Sequence, residues 1–217
     1  MLDPQRRVPT FPFVLPGYWD LEGVVGTAGA ALKWARERLF AGEEYAALDA
    51  LAAQAPPGAG GVRFYPHLAG ATSPQWQATA RGALTGVALA TGRAELARSV
   101  LEGVAFGIRA NLDVMAALAP ITQLVVFGGG ARSALWRAII ADVCRLPVRA
   151  TQTVDVATWG TAILAGMGVG LYPDAAAAQA SVPLTEPVEP SEASARRYDG
   201  LYGEYRAEEE RLLGTQG

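Results

Sequence analysis

Three consecutive glycines, Gly128, Gly129 and Gly130, stand where an apolar run, Leu124-Val125-Val126-Phe127, gives way to Ala131-Arg132-Ser133 and then a helical pattern. This order reads as strand, glycine-rich turn and helix. Glycine permits positive φ and lets a ligand reach the backbone with no Cβ in the way. The start of the following helix offers free N–H groups and a partial positive charge, and a nucleotide is the ligand that suits such a turn. The spacing is neither GxGxxG nor GxxxxGK[ST], so the dinucleotide fingerprint and the P-loop both fail to apply. Spacing alone leaves two readings open: a nucleotide cradle, or an ordinary strand–helix turn rich in glycine.

Other groups with chemical potential are sparse. His67 is the single histidine, and one histidine without a His/Cys/Asp cluster makes no zinc site; it reads as a structural or loop residue. Cys144 is the single cysteine and reads as a small buried hydrophobe on the helix after the turn. Glu102 interrupts an apolar helix face, so it needs a partner, and Arg98 or Arg109 can supply one. Ser133 can cap the helix or touch a ligand. Trp136 and Arg137 read as packing or pairing residues. The run Glu208-Glu209-Glu210 reads as a solvated face.

The elements that would position these groups follow from periodicity. Residues 8–25 read as extended. A helix is expected over 27–40 with Thr27 as N-cap, and a second over 43–54 before the loop Pro56-Pro57-Gly58-Ala59-Gly60-Gly61. Residues 62–65 suggest a strand, 66–82 are irregular, and 85–89 suit strand or turn. The longest helix runs over 93–118, with Leu96, Val100, Leu101, Val104, Ile108, Leu112 and Met115 in helical period. A strand over 122–127, a helix over 133–144, a strand over 148–150 and a helix over 157–168 follow. Residues 181–190 hold three prolines and read as a linker to a final helix over 192–213, with Tyr198, Leu201, Tyr205 and Leu212 on one face. Later strands alternate with helices, which points to an α/β fold.

Composition sets the outer limits. The 217 residues fit a single domain, and 51% hydrophobic against 18% charged residues supports a sizeable core. A net charge of −3 without a basic patch argues against nucleic acid. Residues 156–172 carry no charge, but four glycines and a length below the roughly 20 residues of a span favour a helix buried between layers over a membrane segment. The lone cysteine suits a reducing, cytoplasmic location.

The word GGGARSALWRAIIADV closely resembles the adenosine-binding motif in the C-terminal domain of the FGGY carbohydrate kinases, the group of xylulokinase, ribulokinase and glycerol kinase. FYPHLAGATSPQWQATARGALTGV is similar to the family's P-x-L-x-G-x-x-x-P segment, and TGRAELARSVLEGVAFGIRANLDVM to its long helix. YWDLEGVVGTAGAALKWARERL and WGTAILAGMGVGLYPD resemble its first and last helical segments. The resemblance implies the ribonuclease-H-like fold shared by actin and the sugar kinases. It implies ATP with Mg2+ as phosphate source and a sugar hydroxyl, of a xylulose-like ketose or a polyol, as acceptor. Gly128, Gly129, Gly130 and Ala131 would line the adenosine, with Arg132 and Ser133 at the helix start.

In these kinases the catalytic base is the aspartate of a Gly-Asp motif, followed by a Gly-Thr phosphate hairpin. The chain is expected to begin after both. Asp20 and Glu22 match no catalytic position, so no catalytic residue is assigned and the chain is expected to be inactive alone. Ala71 and Thr72 follow Gly70 where many members have Glu-Arg, and Gln75-Trp76 resembles the Pro-x-Trp of other subgroups. Asp155 stands where the family often has an acidic residue near the nucleotide. Residues 1–217 are then one nucleotide-binding domain. Its expected partners are a nucleotide and either a chain carrying the sugar-binding domain or a second copy, because a sheet short of its first strand leaves an edge open. The alternative is a noncatalytic nucleotide-binding or interaction domain derived from such a kinase.

Overall fold

The long apolar pattern after Gly92 forms the central helix of the protein in a computed structural model, which describes residues 2–153 and 155–214. This helix, α3 (Arg93–Ala116), starts where the Glu95 carboxylate accepts the Gly92 N–H at 3.0 Å. Every residue from Ala97 to Phe106 is buried, so α3 is covered on all sides rather than along one stripe. Against it pack α1 (Ala28–Arg38), α2 (Tyr45–Ala52), α4 (Ala134–Cys144) and the antiparallel pair β3 (Arg63–Tyr65) and β4 (Ala83–Thr85). Gly103 permits the approach of β3, since a Cβ there would stand 2.0 Å from the Phe64 carbonyl oxygen.

Two further strand pairs complete the described sheets. β1 (Thr10–Pro12) and β2 (Trp19–Leu21) form an antiparallel hairpin, with Phe11 opposite Asp20. β5 (Leu124–Val126) and β6 (Val148–Ala150) run parallel, joined through α4, with Val125 opposite Arg149. Then come α5 (Val156–Gly168), the short α6 (Ala175–Ala180) and α7 (Glu192–Gly214). α6 has no counterpart in the sequence reading. It opens at Asp174, whose carboxylate accepts the Ala177 N–H at 2.8 Å.

α7 returns across the middle of the molecule. Tyr198 and Tyr205 are fully buried, and Tyr205 stacks on Tyr65 with centroids 4.5 Å apart. Glu102 meets Arg98, the first of its two expected partners, at 2.7 Å, and also accepts from the Tyr198 hydroxyl at 2.7 Å. Arg109 instead pairs with Asp199 at 2.8 Å and lies over the Tyr202 ring.

Several expectations need correction. Thr27 takes the N-cap position of α1, as expected, but its side chain makes no capping bond. Its side chain is buried, and its hydroxyl donates to the Pro66 carbonyl. α5 is not sandwiched between layers: within its described residues only Gly166 is buried, while Trp159 and Leu164 are exposed. Its apolar side, with Ile163 and Met167, instead lines an open cleft of about 410 Å³ opposite Phe13, Val14 and Tyr18. The acidic run in α7 is not a solvated face either. Glu209 is buried against His67, and Glu208 accepts from Tyr65 and Arg63, leaving Glu210 exposed. Residues 181–190 are more than a tether, because Val188 bridges to Val148 of β6 and Leu184 to Thr151, the residue after it. Among the described residues no helix is long and apolar enough to cross a membrane.

Candidate functional site

Parallel strands end at the same edge of a sheet, so β5 and β6 deliver the segments that follow them to one place. The Thr151 N–H bonds the Val126 carbonyl at 3.1 Å, which sets residues 151–153 beside the start of the glycine turn. Beyond them Asp155 caps α5, accepting the Thr158 N–H at 3.1 Å and the Thr158 hydroxyl at 2.9 Å. These bonds hold its carboxyl below the usual range.

The turn itself is a single tight coil over Gly129–Arg132, closed by bonds from Ala131 N–H to Gly128 O and from Ser133 N–H to Gly130 O, both 3.2 Å. The three glycines serve different ends. Gly128 has φ of 77°, a left-handed conformation that a side chain would strain. Gly130 sits on the Trp136 ring, and a Cβ there would lie 2.5 Å from it. Gly129 has neither constraint: it is exposed, and a Cβ built on it would meet nothing within 4 Å. Its backbone is the part of the turn that faces open space.

The rest of the turn is fixed from behind. Ser133 accepts the Trp136 N–H at 3.0 Å, the capping role, which leaves its own hydroxyl proton available to a ligand. Trp136 is buried and donates its Nε1–H to the Leu101 carbonyl at 3.1 Å, so α4 is pinned to α3. Ala131 is buried, while Arg132 is exposed beside the turn. Phe127, just before Gly128, is 62% exposed. The geometry thus offers an anion- or nucleotide-sized ligand a bare backbone, a helix N-terminus, one cation and one aromatic face.

The remaining candidates lie outside this site. His67 Nε2 is 3.0 Å from Glu209, whose other oxygen accepts from Gln75 at 2.8 Å. Thr72 bonds Val24, and Asn111 holds the Ser73 carbonyl at 3.1 Å, so the loop around Gly70 and Pro74 spends its polar groups inside the protein. Asp20, in β2, and Glu22, just after it, are exposed. Cys144 is partly covered, and burial pushes its thiol up to about 12, against a smaller pull from Arg109. Among the described residues no group of three or more His, Cys, Asp or Glu side chains is placed to hold a metal ion.

Residues 3–169 match the FGGY family of carbohydrate kinases, C-terminal domain. A glycerol kinase of Gloeobacter violaceus is 40% identical over 176 residues, which is 80% of this chain and 35% of that protein. A xylulose kinase of Staphylococcus epidermidis is 28% identical over 199 residues, 91% of this chain and 40% of the relative. The crystal structure of ligand-bound xylulose kinase from Lactobacillus acidophilus superposes with a TM-score of 0.89 at 26% identity, over 100% of this chain and 44% of that one. The chain therefore spans less than half the length of each of these three relatives.

Proposed function

We infer the function from one premise: this chain belongs to the FGGY family of carbohydrate kinases, as that family's C-terminal domain, with the ribonuclease-H-like fold of sugar kinases. We propose that it is the ATP-binding part of an enzyme that transfers the γ-phosphate of ATP to a sugar or polyol hydroxyl. The observation that carries this reading is the bare, outward backbone of Gly129 in a turn whose other members are locked by φ, by Trp136 and by the Ser133 cap. The greater identity to a glycerol kinase than to a xylulose kinase supports a polyol ahead of a ketose.

Phosphoryl transfer rests on positioning and charge stabilisation: phosphate donors, a metal ion, a base for the hydroxyl and an acceptor pocket. In this reading Gly128, Gly129, Gly130 and Ala131 form the adenosine-facing backbone. Arg132 lies at the ligand's exposed side, and the Ser133 hydroxyl donates to it. Mg2+ travels with the nucleotide phosphates and is assigned to no side chain here. The base and most of the acceptor pocket belong to the rest of the kinase, so the chain alone turns nothing over.

Calorimetric titration with ATP and ADP tests the site. The expected result is binding by the native chain and none by Gly129→Val, with the melting temperature unchanged. No binding by the native chain at about millimolar nucleotide, the weak end of specific affinity, overturns the reading.

A further inference from the structure

Residues 155–182 leave the β5–β6 pair and return to it at one place. Thr151 and Leu184 form an antiparallel bridge, the Gln152 N–H bonds the Pro183 carbonyl at 2.9 Å, and the Gln152 side-chain amide bonds the Leu184 carbonyl at 3.0 Å. Just inside, the Thr185 N–H meets the Ala150 carbonyl at 2.9 Å and fixes this stem to β6. The excursion that carries α5 and α6 therefore has both of its ends in one short stem.

Beyond the stem the excursion is bonded to itself. The Leu171 N–H returns to the Gly166 carbonyl at 2.8 Å, and the Val182 N–H to Gln179 at 3.1 Å. Its two charges, Asp155 and Asp174, are both spent as helix caps. Among the described residues, none from 155 to 182 forms a hydrogen bond or ion pair with another part of the fold. The buried cluster around α3 draws no residue from it. Gly166, buried in α5, sits on the Tyr172 ring of the same excursion, where a Cβ would meet it at 2.8 Å. A segment with few apolar contacts to the core and no bonds to it opens at a lower free energy than the whole domain.

Across the open cleft α5 looks at the turn of the β1–β2 hairpin. Ile163, Leu164 and Met167 line one wall, and Phe13, Val14 and Tyr18 the other. Leu164 is 37% exposed and Val14 63%. Both walls belong to this chain, so a rotation about the stem that brings them together removes apolar surface from water without any partner. We propose that residues 155–182 are a hinged flap, which opens as one unit on the Thr151–Leu184 stem and closes its α5 face onto the hairpin turn. The stem begins at Thr151, bonded to Val126 beside the glycine turn, so the hinge adjoins the site read above as nucleotide-binding. The flap itself does not depend on that reading.

Spin labels on Asp20→Cys in β2 and Val169→Cys just after α5, with Cys144→Ala removing the single cysteine, read the distance across the cleft by pulsed electron resonance. Two distances are expected. Ammonium sulfate strengthens apolar burial and shifts the population to the shorter one. Ile163→Asp places a charge in the closed interface and shifts it to the longer one. One fixed distance, or a ratio that sulfate or Ile163→Asp fails to move in these directions, overturns the proposal. Hydrogen exchange on the native chain reads the same unit without substitution. The amides of α5 and α6 are expected to share a single opening, about tenfold or more faster than that of α3. Exchange of α5 together with α3, or of α5 and α6 through separate openings, overturns it as well.

Discussion

Glu102 collects three donors on one carboxylate oxygen: Arg98 Nε and the Tyr198 hydroxyl at 2.7 Å, and the Gly58 N–H at 3.0 Å. Arg98 is itself buried and bonds the Ala55 carbonyl and Tyr198. Removing one member of a buried pair strands the other charge, so Glu102→Ala is expected to cost about 3–5 kcal/mol, read by denaturant unfolding. Within the turn, Gly130→Val drives a side chain into Trp136 and is expected to cost about 1–3 kcal/mol, whereas Gly129→Val leaves stability unchanged. Asp142 gives a pH signature. Burial holds its carboxyl above the usual value, against the Ser191 N–H that it accepts at 2.7 Å. The folded chain thus keeps this proton to higher pH than the unfolded chain, and stability falls as pH rises through the folded value. Asp142→Asn is expected to raise the melting temperature at neutral pH and to leave it unchanged in acid below the ordinary carboxylate range. At this scale the Ser133 cap and the Glu102–Arg98 pair were legible, because both depend on neighbours within one helical turn. The division of labour among the three glycines was not, because it depends on where the Trp136 ring lies.

α7 lies beyond the residues matched to the family, yet it supplies Tyr198 and Tyr205 to the interior. It also ties down the loop of residues 67–77 through Glu209 to His67 and Gln75, and through the Leu213 carbonyl to Gln77. A chain ending at Pro190 loses two fully buried aromatics, each worth about 3–5 kcal/mol, against a total stability of about 5–15 kcal/mol for a domain. It is expected to show no cooperative thermal transition by circular dichroism. The helical period announced α3, α4 and α7 clearly. The role of α5 was misread because an uncharged helix looks the same in sequence whether a layer covers it or an open cleft borders it. The bridges from residues 181–190 to β6 were hidden by prolines that resemble a tether. That the sheet leaves an edge open was expected from the resemblance, but which carbonyls of β5 face that edge was not legible, since the direction of each is fixed only once the strand has a partner.

Taken as a whole, the molecule sets the glycine turn, which we propose faces the nucleotide, on α3 and α4, to which the Trp136 bond to Leu101 ties it. The 217-residue chain is expected to release no ADP from ATP with glycerol or xylulose, even at concentrations where ATP binds, and coupled ADP detection measures this directly. The fold class was legible because long, collinear sequence words carry it; the acceptor was not, because glycerol kinases and xylulose kinases share the matched region. The reach of α7 has a further consequence, for synthesis. Its bonds join positions far apart in the chain: Tyr65 to Glu208 across 143 residues and His67 to Glu209 across 142. Contacts of such long range close late, after the loop entropy between them has been met. A ribosome must therefore release the chain through α7 before Tyr65 and His67 find their partners, and until then the aromatic interior stands open to whatever chaperone waits at the tunnel exit.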